Sequence, residues 1–185
     1  MPAIGPAVVV LTGIMAAGKS TVAQALAARL PRSAHVRGDV FRRMVVCGRR
    51  EMTPEMAPEA VEQLWLRYRL SARVADEYAS HGFTAVVQDI ILGADLVPYL
   101  SLVATRPRYL VVLAPGTEAV AARERDRDKK GYGDWSVEAF DRELRLRTPR
   151  IGLWWDSTAE TVEQTVDGIL RRLPEAALPD ELPIG

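Results

Sequence analysis

The sequence predicts an α/β protein, a three-layer α/β/α sandwich around a five-stranded parallel sheet with a small helical lid. Three observations predict it. Short, nearly continuous apolar runs rich in β-branched residues (7–12, 83–91 and 108–114) alternate with longer stretches whose apolar residues recur every three to four positions. Strands that are apolar on both faces are those of parallel sheets buried between helices, and parallel strands need helical crossovers of the length seen here. The third observation is chemical. The first run leads directly into Gly13-Ile14-Met15-Ala16-Ala17-Gly18-Lys19-Ser20-Thr21, a complete G-x-x-x-x-G-K-[ST] phosphate loop set between a strand and a helix.

The elements follow in order. After the first strand (7–12), Val22, Leu26 and Leu30 mark a helix over about 18–30 that Pro31 stops. Residues 34–39 read as a short second strand, and Asp39 opens a short helix to about residue 46. The stretch 48–58, with two prolines, reads as a loop. Val61, Leu64, Trp65, Tyr68, Ala72, Ala75 and Ala79 then define a long helix, 58–81, closed by Gly82. Residues 83–91 and 108–114 are buried strands. A helix from Thr117 enters the charged run 124–130, and Ser136 starts another reaching about Arg147. Residues 151–155 form a last strand. Ser157 and Glu160 have the spacing of a capping box for a helix carrying Val162, Val166, Ile169, Leu170 and Leu173, closed by Pro174. The expected organisation is one domain over 1–174, a lid at about 123–136, and a fraying proline-containing tail over 175–185.

Composition narrows the class. At 185 residues, with 48% apolar and 26% charged residues, the chain suits one globular domain with a sizeable core. Zero net charge gives no global attraction to nucleic acid or anionic membrane. No apolar stretch approaches the roughly 20 residues that span a bilayer, and residues 1–11 lack a secretory n-region. A cytoplasmic protein is expected. A single cysteine, Cys47, excludes an intrachain disulfide and a cysteine-rich zinc site. His35 and His81 are too far apart for a helical ligand pair. The chain has no asparagine, so an N-K-x-D guanine-reading segment is absent, and ATP is expected rather than GTP.

Each candidate site residue has a physical reason. Gly13 and Gly18 let the backbone turn tightly enough for successive N–H groups, those of Ala16 and Ala17 included, to face phosphate oxygens. The helix through Thr21 adds the positive end of its dipole. Lys19 is expected on the β- and γ-phosphates and the Ser20 hydroxyl on Mg²⁺. A lysine here is informative, since there are only three against 21 arginines. Two further strand ends carry Asp39 and Asp89. A carboxylate there can serve Mg²⁺ and its waters, or take the proton of an incoming hydroxyl. Arg42, one turn after Asp39, is placed to grip an anionic or polar group of a substrate, whereas Asp39 alone could simply cap the short helix. Asp89 is a metal-shell or substrate-binding candidate, with support of a neighbouring loop as the alternative; Gln88 is assigned to the other sheet face and given no role. Arg123 and Arg127, four residues apart in the alternating run, share a helix face. They suit a lid closing on phosphates or a solvated face laced with ion pairs. Trp65 and Tyr68 are read as core first and pocket wall second, and Trp135 as packing for the lid's far end.

With those residues in hand, the chain resembles the P-loop kinases that phosphorylate hydroxyl groups, especially chloramphenicol phosphotransferase-like proteins. More distantly it is similar to zeta toxins and to the kinase domain of polynucleotide kinases. The carriers are GIMAAGKST, HVRGDVFRRM, HGFTAVVQDIILG, AARERDRDKKG and WWDSTAETVEQTVDGIL, together covering most of 7–173. The resemblance implies Asp39 as general base, Asp89 as an acidic strand end, Arg123 and Arg127 as lid arginines, and an adenine near the turn after the last strand. It does not carry over the acceptor, because the region shaping that pocket matches poorly. The expectation is an ATP- and Mg²⁺-dependent transfer of the γ-phosphoryl to a hydroxyl of a small molecule, an antibiotic or a metabolite, with nucleic acid not expected as a partner. A polynucleotide 5′-hydroxyl, a nucleoside monophosphate and a nucleotide sugar are alternative acceptors. A nucleotide-binding switch is the non-catalytic alternative.

Overall fold

A computed structural model of the chain describes residues 4–126 and 135–182. Five strands, β1 (Ala7–Gly13), β2 (Ser33–Arg37), β3 (Thr84–Gln88), β4 (Arg108–Leu113) and β5 (Leu153–Trp155), form one sheet in the order β2-β3-β1-β4-β5. Every pairing is parallel. Around it run α1 (Lys19–Ala28), α2 (Gly38–Arg43), α3 (Pro58–Ser80), α4 (Leu96–Leu102), α5 (Thr117–Arg125), α6 (Val137–Arg142) and α7 (Val162–Arg171). This is the three-layer α/β/α fold the alternation predicted. The unbroken apolar runs have the predicted cause, since β1 and β3 are buried at every residue under helices on both faces.

Register positions the site. Arg37 pairs with Gln88 and Gln88 with Leu11, so β2 and β3 end level with one another, while β1 runs on to Gly13. The Thr12 hydroxyl donates to the Ile91 carbonyl and accepts from the Ile91 N–H, both at 2.9 Å. That pair of bonds ties the segment after β3 to the strand entering the phosphate loop.

The structure departs from the sequence reading in several places. The helix at 38–43 begins one residue before Asp39, which lies inside its first turn. Helix α4 was not foreseen: seven residues are too few for a periodic pattern, and Pro98 sits inside it. The capping box belongs to Thr161 and Gln164, not to Ser157 and Glu160. Ser157 is buried in the preceding turn, while Glu160 accepts from Trp155 Nε1 at 2.7 Å and from Thr165 Oγ1 at 2.9 Å. The helix from Ser136 is capped as read, Ser136 accepting from the Ala139 N–H, but its last turn, Glu143–Arg147, is a π-turn. The described part of the tail, 175–182, packs back on the sheet. After a 3₁₀ turn (Leu173–Ala176) Ala177 bridges to Tyr109. The buried Arg108 guanidinium then donates to the carbonyls of Pro179 and Asp180, and Arg106 pairs with the Asp180 carboxylate. β5 covers only the upper half of β4, so the tail covers the rest of that edge.

Candidate active site

The phosphate loop bridges β1 and α1 in backbone conformations that explain its composition. Gly13 has φ 146°, and a β-carbon there would lie 2.5 Å from the Leu113 carbonyl oxygen. Gly18, at φ 91°, has open space where its β-carbon would be. Between them Ala16 is left-handed, φ 59°, which costs a non-glycine residue energy and is tolerated where the surroundings dictate it. The left-handed turns make a concave nest of N–H groups. The first N–H groups of α1, Lys19 to Val22, open from it; of these, the Val22 N–H is bonded to the Gly18 carbonyl. Lys19 is 6% exposed and donates Nζ to the Ile14 carbonyl at 2.7 Å, so its ammonium lies over the loop. Ser20 and Thr21 are exposed on the first turn of α1.

The Ser20 hydroxyl donates to Gln88 Oε1 at 3.1 Å. Gln88 therefore belongs to the site, contrary to the face assigned by strict alternation. It is the last residue of β3, in register with Leu11 just before the phosphate loop, and its long side chain reaches α1. Two hard oxygen donors meet here, the Ser20 hydroxyl and the Gln88 amide oxygen, the donor chemistry Mg²⁺ prefers. Among the described residues no group of three or more His, Cys, Asp or Glu side chains is placed to hold a metal ion.

Asp89 is 3% exposed. Its Oδ1 accepts from Arg67 Nη2 at 2.6 Å and from the Ile90 N–H at 2.8 Å. Its Oδ2 and Arg67 Nε are buried without hydrogen-bond partners. Burial pushes the carboxyl up from its ordinary range, against the pull of Arg67, the Ile90 N–H and Lys19. Arg67, on α3, is the site residue that sequence reasoning missed. Its one signal was a charged residue inside the helix's otherwise apolar stripe, beside Tyr68, which is 2% exposed.

Asp39 is half-exposed and pairs with Arg43, one turn on, at 3.0 Å. Arg42 turns away from it to Glu51, which also holds Arg49 at 3.1 Å. Asp39 and Arg42, both expected to face the substrate, thus stand in two separate ion pairs. Arg42 instead anchors the loop between α2 and α3. Across the site, Trp135 donates Nε1 to the Met52 carbonyl at 3.3 Å and stacks edge-on with Phe140. The last described residues of the expected lid, 135–136, thus meet the α2–α3 loop. Arg123 donates to the Ser157 carbonyl at 2.9 Å, and Thr158 Oγ1 accepts from the Gly116 N–H. The β4–α5 turn, α5 and the turn after β5 therefore form one wall. Arg127 and residues up to 134 of the expected lid lie outside the described residues.

A phosphate loop at the end of a central strand, with β3 and β2 ending beside it in that order, defines the P-loop kinase fold. The chain belongs to the family AAA_33 (AAA domain), which it matches over residues 8–149. No curated protein matches it in sequence. In structure it is similar to a sugar kinase from Janibacter sp. HTCC2649 (19% identity, 92% of this chain and 95% of that one, TM-score 0.66). It is also similar to the tunicamycin resistance protein of Deinococcus radiodurans (17%, 93% and 98%, TM-score 0.67) and to a gluconokinase from Sinorhizobium meliloti 1021 (19%, 93% and 94%, TM-score 0.64). At these identities the likeness is one of fold. It agrees with the resemblance to chloramphenicol phosphotransferase-like P-loop kinases. No helix among the described residues is long and apolar enough to cross a membrane.

Proposed function

We propose that the protein is an ATP-dependent kinase that moves the γ-phosphoryl group to a hydroxyl of a small molecule. The observation that carries this is that β3 and β2 end level with each other beside β1, which brings a phosphate loop and the Asp39 turn to one edge of the sheet. The names of the neighbours, a sugar kinase, a gluconokinase and a tunicamycin resistance protein, support a small-molecule acceptor.

In this reading the loop N–H groups from Gly13 to Thr21 and the Lys19 ammonium hold the triphosphate, and Ser20, steadied by Gln88, faces Mg²⁺. The metal supplies charge neutralisation on the phosphate oxygens. Asp39 orients the acceptor hydroxyl and takes its proton late, since a loose transition state asks little of a base before the bond to the leaving group breaks. Arg123, held at the turn after β5, lies on the adenine side. Arg127 is assigned to the transferring phosphoryl. Arg42 fixes the loop that borders the acceptor, and Asp89 is placed beneath it.

The test is transfer itself. Purified protein with Mg·ATP is offered antibiotics, nucleosides, nucleotides, sugars and a 5′-hydroxyl oligonucleotide, and phosphate on each is read by mass shift. Asp39→Asn is expected to lower transfer by about 10²–10⁴-fold while Mg·ATP still binds, the range for a positioned proton acceptor. Tight ATP binding with no transfer to any acceptor sinks the kinase reading in favour of a switch. Full activity in Asp39→Asn removes Asp39 as base.

A further inference from the structure

Asp39 owes its place to contacts that begin on another helix. Helix α2 is six residues long, too short to hold its own geometry. The ion pair that Asp39 makes among the described residues, to Arg43, joins two half-exposed side chains and holds weakly in water. The residue before it is held firmly. Gly38 is buried, and a β-carbon there would overlap the Asp89 carboxylate, so the backbone at the head of α2 rests directly on that group.

Asp89 is itself immobilised from two sides. Oδ1 is bound by the Ile90 N–H and by Arg67, whose side chain is 15% exposed. Oδ2 is buried, makes no hydrogen bond and presses on Gly38. A buried ion pair is weak evidence of stabilisation, since apolar residues of similar volume serve as well or better. Its retention here, with one oxygen unbonded against a glycine, calls for a job other than stability. Oδ2 is closed to solvent, so that job is done through Gly38.

We propose that Arg67 and Asp89 are positioning residues for Asp39: they seat the Gly38 backbone so that the Asp39 carboxylate is presented to the acceptor. The inference rests on the reading of Asp39 as proton acceptor given above. The line of contact runs from α3 through the end of β3 to α2, and α2 also packs on α3. Gly38 is then a glycine for steric reasons, with no turn requiring it.

The test compares Gly38→Ala and Arg67→Gln with the wild type in three readouts. These are Mg·ATPγS affinity, the ¹³C signal of the Asp39 carboxyl by NMR, and kcat and KM with the acceptor that scores in the transfer panel. The expected result is nucleotide affinity within about twofold of wild type, a displaced Asp39 signal, and kcat down about 10–100-fold, the cost of a small misplacement. Acceptor KM should change less than kcat, and Arg67→Lys should recover part of kcat. An unmoved Asp39 signal with unchanged kcat overturns the proposal. So does a parallel fall of nucleotide affinity and melting temperature, which would mark general support of the core. Where a single variant does not fold, the Arg67→Gln/Asp89→Asn pair, which removes both buried charges together, carries the same measurements. If no acceptor scores, the kinase reading falls, while the NMR comparison still decides whether Arg67 and Asp89 place Asp39.

Discussion

The two sides of the candidate site are built from different materials. The nucleotide side is backbone: left-handed turns at Gly18 and Ala16, a close approach at Gly13, and the first turn of α1. The proposed acceptor side is made of long charged side chains reaching across elements. Arg67 crosses from α3 to β3, Arg42 from α2 to Glu51, and Arg50 pairs with Glu59. Backbone geometry constrains residue type at fixed spacing, because few residues tolerate those dihedrals. A side-chain network constrains only charge and reach, so many sequences satisfy it. A fixed cradle for a common nucleotide beside a variable frame for the acceptor is what one fold with many acceptors requires.

The sharpest way to test that contrast is at Lys19. Its ammonium lies over the loop, and Lys19→Ala should lower kcat/KM by about 10²–10³-fold, the usual cost of one preorganised phosphate contact. The fold should persist, because the turns of the loop are set by the backbone at Gly13, Ala16 and Gly18 and not by the Lys19 ammonium. A circular-dichroism melt close to wild type, beside the kinetic loss, is the expected pair of results.

Gly13→Ala strikes the same side through its steric requirement. The added methyl would lie 2.5 Å from the Leu113 carbonyl oxygen in a backbone conformation that disfavours side chains. About 2–4 kcal/mol of stability should be lost, read as a lower urea midpoint. A variant as stable as wild type would mean that β1 and β4 can separate there, and the cradle is softer than its geometry implies.

Gln88 lies on the boundary between the two sides. Gln88→Leu keeps the volume and removes the oxygen that accepts from Ser20. The Mg²⁺ concentration needed for half-maximal transfer should rise about tenfold, as for the loss of a group that orients a ligand. An unchanged Mg²⁺ requirement would leave Gln88 with packing alone.

These residues also show what the sequence could disclose. The phosphate loop, the parallel sheet and the ends of most helices were legible, since each is set by local spacing: glycines at two positions, apolar runs, Gly82 after α3. Gln88 was misread because alternation assigns a face to a side chain but not its reach at a strand's end. Arg67 was missed because its partner is 22 residues away and the pairing exists only once α3 lies across β3. The cap of α7 was placed at Ser157 by spacing, although the turn after β5 takes Ser157 inward and leaves Thr161 to do the work. Local rules carried the nucleotide side, and long-range side-chain pairing hid the acceptor side.

The smallest expected effect lies on the outer edge of the acceptor side, at His35. This residue on β2 meets Gln24 at 3.0 Å and Arg37 at 3.4 Å, and its Nε2 is buried without a partner. Burial, then the neighbouring Arg37, lowers its pKa from 6.5 to about 4, with Asp39 pulling the other way. The folded pKa is below the unfolded one, so between these values the unfolded chain binds more protons and stability must fall as pH falls. The loss should begin near pH 6.5 and level off near pH 4. Because the ring is only half-buried, solvent screening limits it to about 1 kcal/mol. His35→Gln, which cannot take up that proton, should flatten this part of the stability curve between pH 7 and pH 4.5, leaving the carboxylate titrations below it. If the slope survives the substitution, it belongs to another group. The edge of β2 beside Asp39 would then tolerate charge as the nucleotide cradle, with its buried Lys19, already does.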